Sequence, residues 1–191
     1  MVEKVILFNS PANSGKDFAV EYLSKQYRVF PFSFKQKLIE ITKDIYSLTD
    51  EDIAFFSSRE QKELRQHKLI GRSWRQALIH VSEDVIKPAF GDEYFGTSAV
   101  KYIQQNSKNE IVACGDCGFV AEINPLITAF GAENMFLVRI ESEGCSFDGD
   151  SRTYVDHPEI PDENYITISN HKDDTFMEEL DWLYALVTRN L

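Results

Sequence analysis

The chain has 191 residues, 43% of them hydrophobic and 13% aromatic, which suits one domain with a sizeable core and argues against a disordered chain. Its formal net charge of −11 argues against a nucleic-acid polymer as a partner, because an acidic surface repels a phosphate backbone. No apolar run approaches the ~20 residues that span a bilayer, so no membrane partner is expected.

Met1-Val2-Glu3-Lys4-Val5 leads straight into a strand-like run and lacks the charged, apolar and small-residue regions of a signal peptide. A cytoplasmic protein is therefore expected. Val5-Ile6-Leu7-Phe8 is a short continuous apolar run, as in a central strand of a parallel sheet. A turn rich in Ser, Pro, Asn and Gly follows, and Ala19, Tyr22 and Leu23 then mark the buried side of a helix. Residues 28–33 read as a second strand, pushed toward a sheet edge by Pro31. Leu38, Ile41, Ile45 and Leu48 have helical spacing.

Residues 49–71 are polar and charged and read as a mobile insert. Trp74, Ala77, Leu78, Val81 and Val85 form a helical stripe, and Phe95, Ala99, Tyr102 and Ile103 form another. Residues 111–114 read as a buried strand. Val120, Ile123 and Ile127 suggest a helix, with Pro125 in conflict inside it. Residues 135–140 are a further strand, 141–162 a long loop rich in Gly, Ser, Asp and Pro, and 165–168 the last strand. Phe176, Leu180, Leu183 and Val187 close the chain as an amphipathic helix. Strands alternate with helices, which predicts an α/β fold: a mostly parallel central sheet with helices on both faces.

Of the three cysteines, Cys114 and Cys117 spell C-x-x-C. Cys114 ends a strand-like run rather than opening a helix, and Cys145 and His157 stand at no zinc-site spacing, so strand-end packing is the expected role.

The strongest chemical signal is Ser10-Pro11-Ala12-Asn13-Ser14-Gly15-Lys16-Asp17, placed after the first strand and at the start of the first helix. That is the context of a phosphate-binding P-loop. Successive backbone N–H groups can curl around phosphate oxygens, and the helix N-terminus adds its positive end. The predicted nucleotide-binding set is Ser10, Asn13, Ser14, Gly15, Lys16, Asp17 and Phe18. Gly15 permits close approach and Lys16 places an ammonium between the outer phosphates. Two positions depart from GxxxxGK[ST]: Ser10 stands for the first Gly, and Asp17 for the hydroxyl residue that binds magnesium. A carboxylate also binds magnesium, directly or through water. Asp116, just after the strand 111–114, is either a second metal-site carboxylate or a cap for the next helix.

Arg72, Arg75 and Lys87 flank the Trp74 helix on its polar side. Such a group suits the phosphate of a second substrate, but taken alone it reads first as a solvated face paired with Glu83 or Asp84. Arg139 ends a strand, and Arg152 lies in the loop 141–162, where it could close over transferring phosphates. Lys37, near the second strand, is a further cation. Each of these three also reads as an ordinary surface residue.

Together these pieces resemble the deoxynucleoside monophosphate kinases of phages, over nearly the whole chain. The most specific piece is Ser14-Gly15-Lys16-Asp17, since similar kinases often carry Asp directly after the Lys. Trp74-Arg75-Gln76-Ala77-Leu78 with Glu83-Asp84-Val85-Ile86-Lys87 resembles the family's Arg-bearing helix. Tyr94-Phe95 resembles its aromatic pair, Phe136-Leu137-Val138-Arg139 its strand ending in Arg, and 150–156 its lid loop. Ile166-Thr167-Ile168-Ser169-Asn170 resembles the last strand and the Asn that abuts the donor purine. The resemblance implies a single three-layer P-loop NTPase domain over 1–191, with a helical acceptor-binding insert at about 49–107 and a lid at about 141–162. It implies ATP and magnesium as cofactors and catalytic roles for Lys16, Arg139 and Arg152. Lys37, Arg72, Arg75 and Lys87 are the candidate acceptor-binding residues. Gly118 stands where the family has an Arg, Lys87 where an Arg is usual, and Arg152 where a His is usual.

The expected activity is phosphoryl transfer from ATP to a (deoxy)nucleoside monophosphate. Rival readings are a nucleotide-binding module without kinase activity and a kinase for another small phosphorylated acceptor. The expected partners are small-molecule nucleotides, in a host cytoplasm if the chain is phage-encoded, and a homodimer is an open alternative to a monomer.

Overall fold

The computed structural model describes residues 2–148 and 153–189. The chain divides into two compact units, Lys35–Phe95 and the remainder, Met1–Phe34 with Gly96–Leu191.

The larger unit is built on five strands: β1 (Lys4–Phe8), β2 (Phe30–Phe32), β3 (Ile111–Cys114), β4 (Met135–Glu141) and β5 (Tyr165–Ser169). Their order is β2-β3-β1-β4-β5 and every pairing is parallel. β1 lies at the centre, and Val5, Ile6, Leu7 and Phe8 are all fully buried. Alternation along the strand sends these side chains to opposite faces. Val5 and Leu7 join one core with Ala99, Ile103, Ile123 and Leu126. Ile6 and Phe8 join the other with Ala19, Leu23, Leu180 and Leu183. Two helices therefore cover each face: α1 (Lys16–Tyr27) with the C-terminal helix (Thr175–Val187) on one, and Tyr94–Asn106 with Val120–Phe130 on the other. This is a three-layer α/β fold. β2 is an edge strand, where Pro31 withholds no ladder bond that the sheet needs.

In the smaller unit α2 (Lys35–Tyr46) is followed by α3 (Asp50–Ser57). The polar segment 49–71 thus contains regular structure that its composition conceals. Thr49 and Asp52 form a reciprocal capping box, and three acidic residues occupy the first turn of α3. Leu69, in a 3₁₀ turn, is fully buried with Leu48, Phe56 and Trp74. The Trp74 stripe is helical throughout but not uniformly α. It runs as α4 (Trp74–Ile79), a π segment (His80–Ile86) and α5 (Lys87–Phe90). Pro88 cannot donate to the preceding turn and its ring crowds that carbonyl, so the chain widens there, with Lys87 N–H reaching Ser82 O.

Completing the helices, α6 is Tyr94–Asn106, α7 is Val120–Phe130 and α8 is Thr175–Val187. Pro125 does not break α7, because Ile123, Leu126 and Ile127 hold it against the sheet. Its ring meets α6 at Gly96, where a Cβ would stand 2.5 Å from Glu122 O and 3.0 Å from Pro125 Cγ. Glycine is required there by close backbone approach. Among the described residues no helix is long and apolar enough to cross a membrane.

Candidate active site

The chain leaves β1 without leaving the sheet at once. Asn9 N–H continues the ladder to Val138 O (2.9 Å). Ser10 then accepts from Ile140 N–H through its Oγ at 2.5 Å. The hydroxyl at the place of the expected glycine is thus an anchor that pins the loop to β4. Beyond it, Asn13 (φ 64°) and Gly15 (φ 105°) turn the chain through left-handed backbone, and α1 starts at Lys16 with no side-chain cap on its N-terminus.

Asn170, at the end of β5, braces the loop from behind. Its Nδ2 donates to Ser14 O at 2.9 Å, while its Oδ1 accepts from Lys172 N–H at 2.8 Å. A Cβ on Gly15 would stand 2.5 Å from Asn170 Nδ2. Lys16 is 8% exposed, and its ammonium folds back over its own loop, donating to Ser10 O at 2.6 Å and to Pro11 O. Ser14 is fully buried, and its Oγ has no hydrogen-bond partner among the described residues. A buried hydroxyl without a partner costs free energy in the protein alone. Phe18, half-exposed, follows on α1 with its ring 5.9 Å from that of Phe176.

Asp17 and Asp116 both reach the carboxyl end of β3. Asp17 Oδ1 lies 3.3 Å from the position a Cβ would take on Gly115. The Asp116 carboxylate accepts from Ser33 Oγ (2.7 Å), Phe34 N–H (3.1 Å) and the Cys114 thiol (2.8 Å). Asp116 is therefore not the cap of α7. Glu122 fills that role by accepting from Gly118 N–H (3.1 Å) and Phe119 N–H (3.2 Å). Burial, reinforced by the Asp116 charge, pushes the Cys114 thiol well above its usual range, so it donates to the carboxylate as a neutral group. No cluster of three or more metal-ligating side chains exists among the described residues. One or two carboxylates beside bound phosphates is nevertheless the donor set magnesium takes, since it retains most of its waters.

Arg139, on β4, pairs with Asp156 at 2.6 Å and sits 4.8 Å above the Tyr154 ring. Tyr154 in turn meets Phe147 edge-on at 5.0 Å. The returning arm of the loop is built into the fold: Val155 and Ile160 belong to the core, and His157 bonds to Asn124 (3.0 Å) and to the Tyr165 hydroxyl. Arg152 lies outside the described residues.

The acceptor candidates all belong to the unit Lys35–Phe95. Lys37 on α2 pairs with Glu40 (3.0 Å), which raises its pKa. Arg72 precedes α4. Arg75, in the first turn of α4, is 3.9 Å from Glu63, and Lys87 is 2.7 Å from Glu83. Lys37, Arg75 and Lys87 thus pair with carboxylates of their own unit. The sheet-end group is gathered: Ser10, Asn13, Ser14 and Gly15 on one loop and Lys16 and Asp17 at the start of α1, braced by Asn170, with Asp116 just after β3 and Arg139 on β4. Asn9, at the start of the turn, and Tyr154 and Asp156, within the segment that resembles the lid loop, belong to that group, but nothing in the sequence marks their individual contacts.

A five-stranded parallel sheet covered by helices on both faces, whose central strand runs into a glycine-lysine loop and then a helix, defines a three-layer α/β protein. No protein-family model matches the chain, and no curated protein matches it. Among solved structures it is similar to an uncharacterized protein from Eubacterium ventriosum ATCC 27560, with a TM-score of 0.46 and 13% identity over 97% of this chain and 98% of that one. It is also similar to a gluconokinase from Sinorhizobium meliloti 1021, with a TM-score of 0.42 and 12% identity over 97% of this chain and 93% of that one. At these scores neither likeness bears on what this chain binds.

Proposed function

We propose that the protein transfers the γ-phosphoryl group of ATP to a (deoxy)nucleoside monophosphate, giving the diphosphate and ADP. The observation that carries this reading is the loop 9–17: left-handed turns at Asn13 and Gly15, an uncapped helix N-terminus, and a buried ammonium on Lys16. A phosphate oxygen of the acceptor attacks the γ-phosphorus, and the bond to the β–γ bridging oxygen breaks with its electron pair going to ADP. The acceptor is already an anion, so catalysis is positioning and charge neutralisation rather than proton abstraction.

In this reading Lys16 exchanges its two carbonyl acceptors for β- and γ-phosphate oxygens, and the Ser14 hydroxyl gains the partner it lacks. Arg139, steadied by Asp156, presents its remaining N–H groups to the transferring group, and Arg152 assists from the loop. Magnesium, when bound, offsets phosphate charge, and Asp17 and Asp116 would hold it or its waters. Asn170 and Phe18 border the donor site, while Arg75, with Lys37, Arg72 and Lys87, takes the acceptor phosphate. The rival reading, a nucleotide-binding module without transferase activity, draws support from Gly118. Its place in the resembling family holds an Arg, and here the backbone N–H is given to Glu122.

Asp17→Ala is expected to raise the magnesium concentration for half-maximal activity severalfold. Asp116→Asn, whose single carbonyl oxygen can still accept from Phe34 N–H while its amide turns a donor toward the Ser33 hydroxyl, should do the same with a smaller loss of stability than Asp116→Ala. Magnesium titrations of turnover check this, and unchanged dependence in both Asp17→Ala and Asp116→Asn would move the metal elsewhere. Arg75→Ala should raise the acceptor KM on the order of tenfold, as expected for losing one charge-assisted phosphate contact, and leave the ATP KM nearly unchanged. Equal effects on both substrates would take Arg75 out of the acceptor site. The test of the activity itself is a panel of nucleoside and deoxynucleoside monophosphates with ATP and magnesium, scored for diphosphate. Conversion of at least one supports transfer, and ATP binding without any conversion favours the rival.

A further inference from the structure

Asn9 is 2% exposed and sits where β1 becomes the phosphate loop. Its side chain faces neither the solvent nor the loop's own backbone. Nδ2 donates to Cys117 O and to Thr153 O, both at 3.2 Å, and Oδ1 accepts from Val155 N–H at 2.7 Å. One amide thus uses both donor hydrogens and its oxygen on two segments remote in sequence. Thr153 and Val155 are the immediate neighbours of Tyr154, whose ring lies under the Arg139 guanidinium. One residue further on, Asp156 pairs with that same guanidinium. The chain of contacts runs from the loop entrance, through the backbone on both sides of Tyr154, to Arg139.

We propose that Asn9 is a positioning residue for Arg139: by gripping Thr153 and Val155 it sets the Tyr154 ring and the Asp156 carboxylate that aim the guanidinium at the phosphate held by the loop. This rests on the proposed phosphate site. Arg139 stands on β4 and the phosphate loop follows β1, and adjacent strands alone do not fix where a long side chain points. The amide geometry does, because both bonds to the arm must be made at once. Aspartate at this position would lose both donors and set a carboxylate against two carbonyl oxygens. A shorter serine could not reach both sides of Tyr154.

The test is a double-mutant cycle in the full chain. Asn9→Ser should lower kcat about tenfold or more, as a small misplacement of a phosphate-binding group does, with a smaller change in the ATP KM. Tyr154→Leu, at a 40% exposed position, should act the same way. In an Arg139→Ala background both substitutions should change kcat less than about twofold, because residues acting through one group are not additive. Thermal unfolding corrects for any unfolded fraction. If Asn9→Ser and Tyr154→Leu lower kcat by the same factors with and without Arg139, the inference is overturned. Should the wild type bind ATP but transfer nothing, the transferase reading fails separately. The same cycle is then read by calorimetry on ATP affinity, where coupling between Asn9 and Arg139 supports the inference and additivity overturns it. A wild type that does not bind ATP overturns both.

Discussion

Lys16→Ala is expected to abolish measurable transfer, with a loss of about 100- to 1000-fold or more, the scale on which preorganised charge stabilisation acts. The ammonium is nearly buried, on the first residue of α1, and held across its loop by Ser10 O and Pro11 O. It is therefore in place before any phosphate arrives, and it counters charge that grows on the leaving phosphates as the bond breaks. ATP affinity should fall as well, since the same contact is made with bound ATP. Steady-state turnover and calorimetric titration with ATP check both effects. A variant that keeps wild-type turnover would remove Lys16, and the loop with it, from the reaction.

Gly15→Ala is expected to be the most damaging small substitution in the loop. The backbone at Gly15 has φ 105°, which costs a residue with a Cβ about 1–2 kcal/mol. The new methyl would also stand 2.5 Å from Asn170 Nδ2 and 3.1 Å from Phe176 Cε1. Asn170 must then move and give up its bond to Ser14 O, a further loss of about 0.5–1.5 kcal/mol. At about 2–4 °C per kcal/mol for a chain of this size, the melting temperature should fall by roughly 5–10 °C. ATP affinity should fall too, because the loop can no longer turn under Asn170. Gly71→Ala is the control: it has positive φ (75°) and nothing within 4 Å of the added methyl, so it carries the backbone cost alone. Equal melting shifts for the two variants would show that the Asn170 brace contributes nothing.

What is legible in the sequence is what is local. An apolar run of four residues, a Gly-Lys pair and a helical stripe lie within about twenty positions, and together they mark β1, the loop and α1. The strand 111–114 and the edge position of β2 follow from an apolar run and from one proline. The remainder depends on partners far along the chain. Ser10 reads as a departure from a glycine motif until Ile140, 130 residues away, turns out to donate to its hydroxyl. Asn9 reads as a turn residue because its partners Thr153 and Val155 are 144 and 146 residues away. Asp116 reads equally as metal site or helix cap, and only the Glu122 contacts remove the cap. The helix α3 is a different failure. Thr49 and Asp52 mark its start, but the polarity of 49–71 outweighs that local signal. Pro125 conflicts with its helix only while burial of Ile123, Leu126 and Ile127 is left out of account.

The central claim is that the loop 9–17 holds the phosphates of a nucleoside triphosphate. Calorimetric titration of the full chain with ATP in excess magnesium tests it most directly, alongside Lys16→Ala under the same conditions. Saturable binding of one ATP per chain, weakened at least tenfold in the variant, is the predicted result. No saturable binding at millimolar ATP, or equal binding by the two proteins, would contradict it.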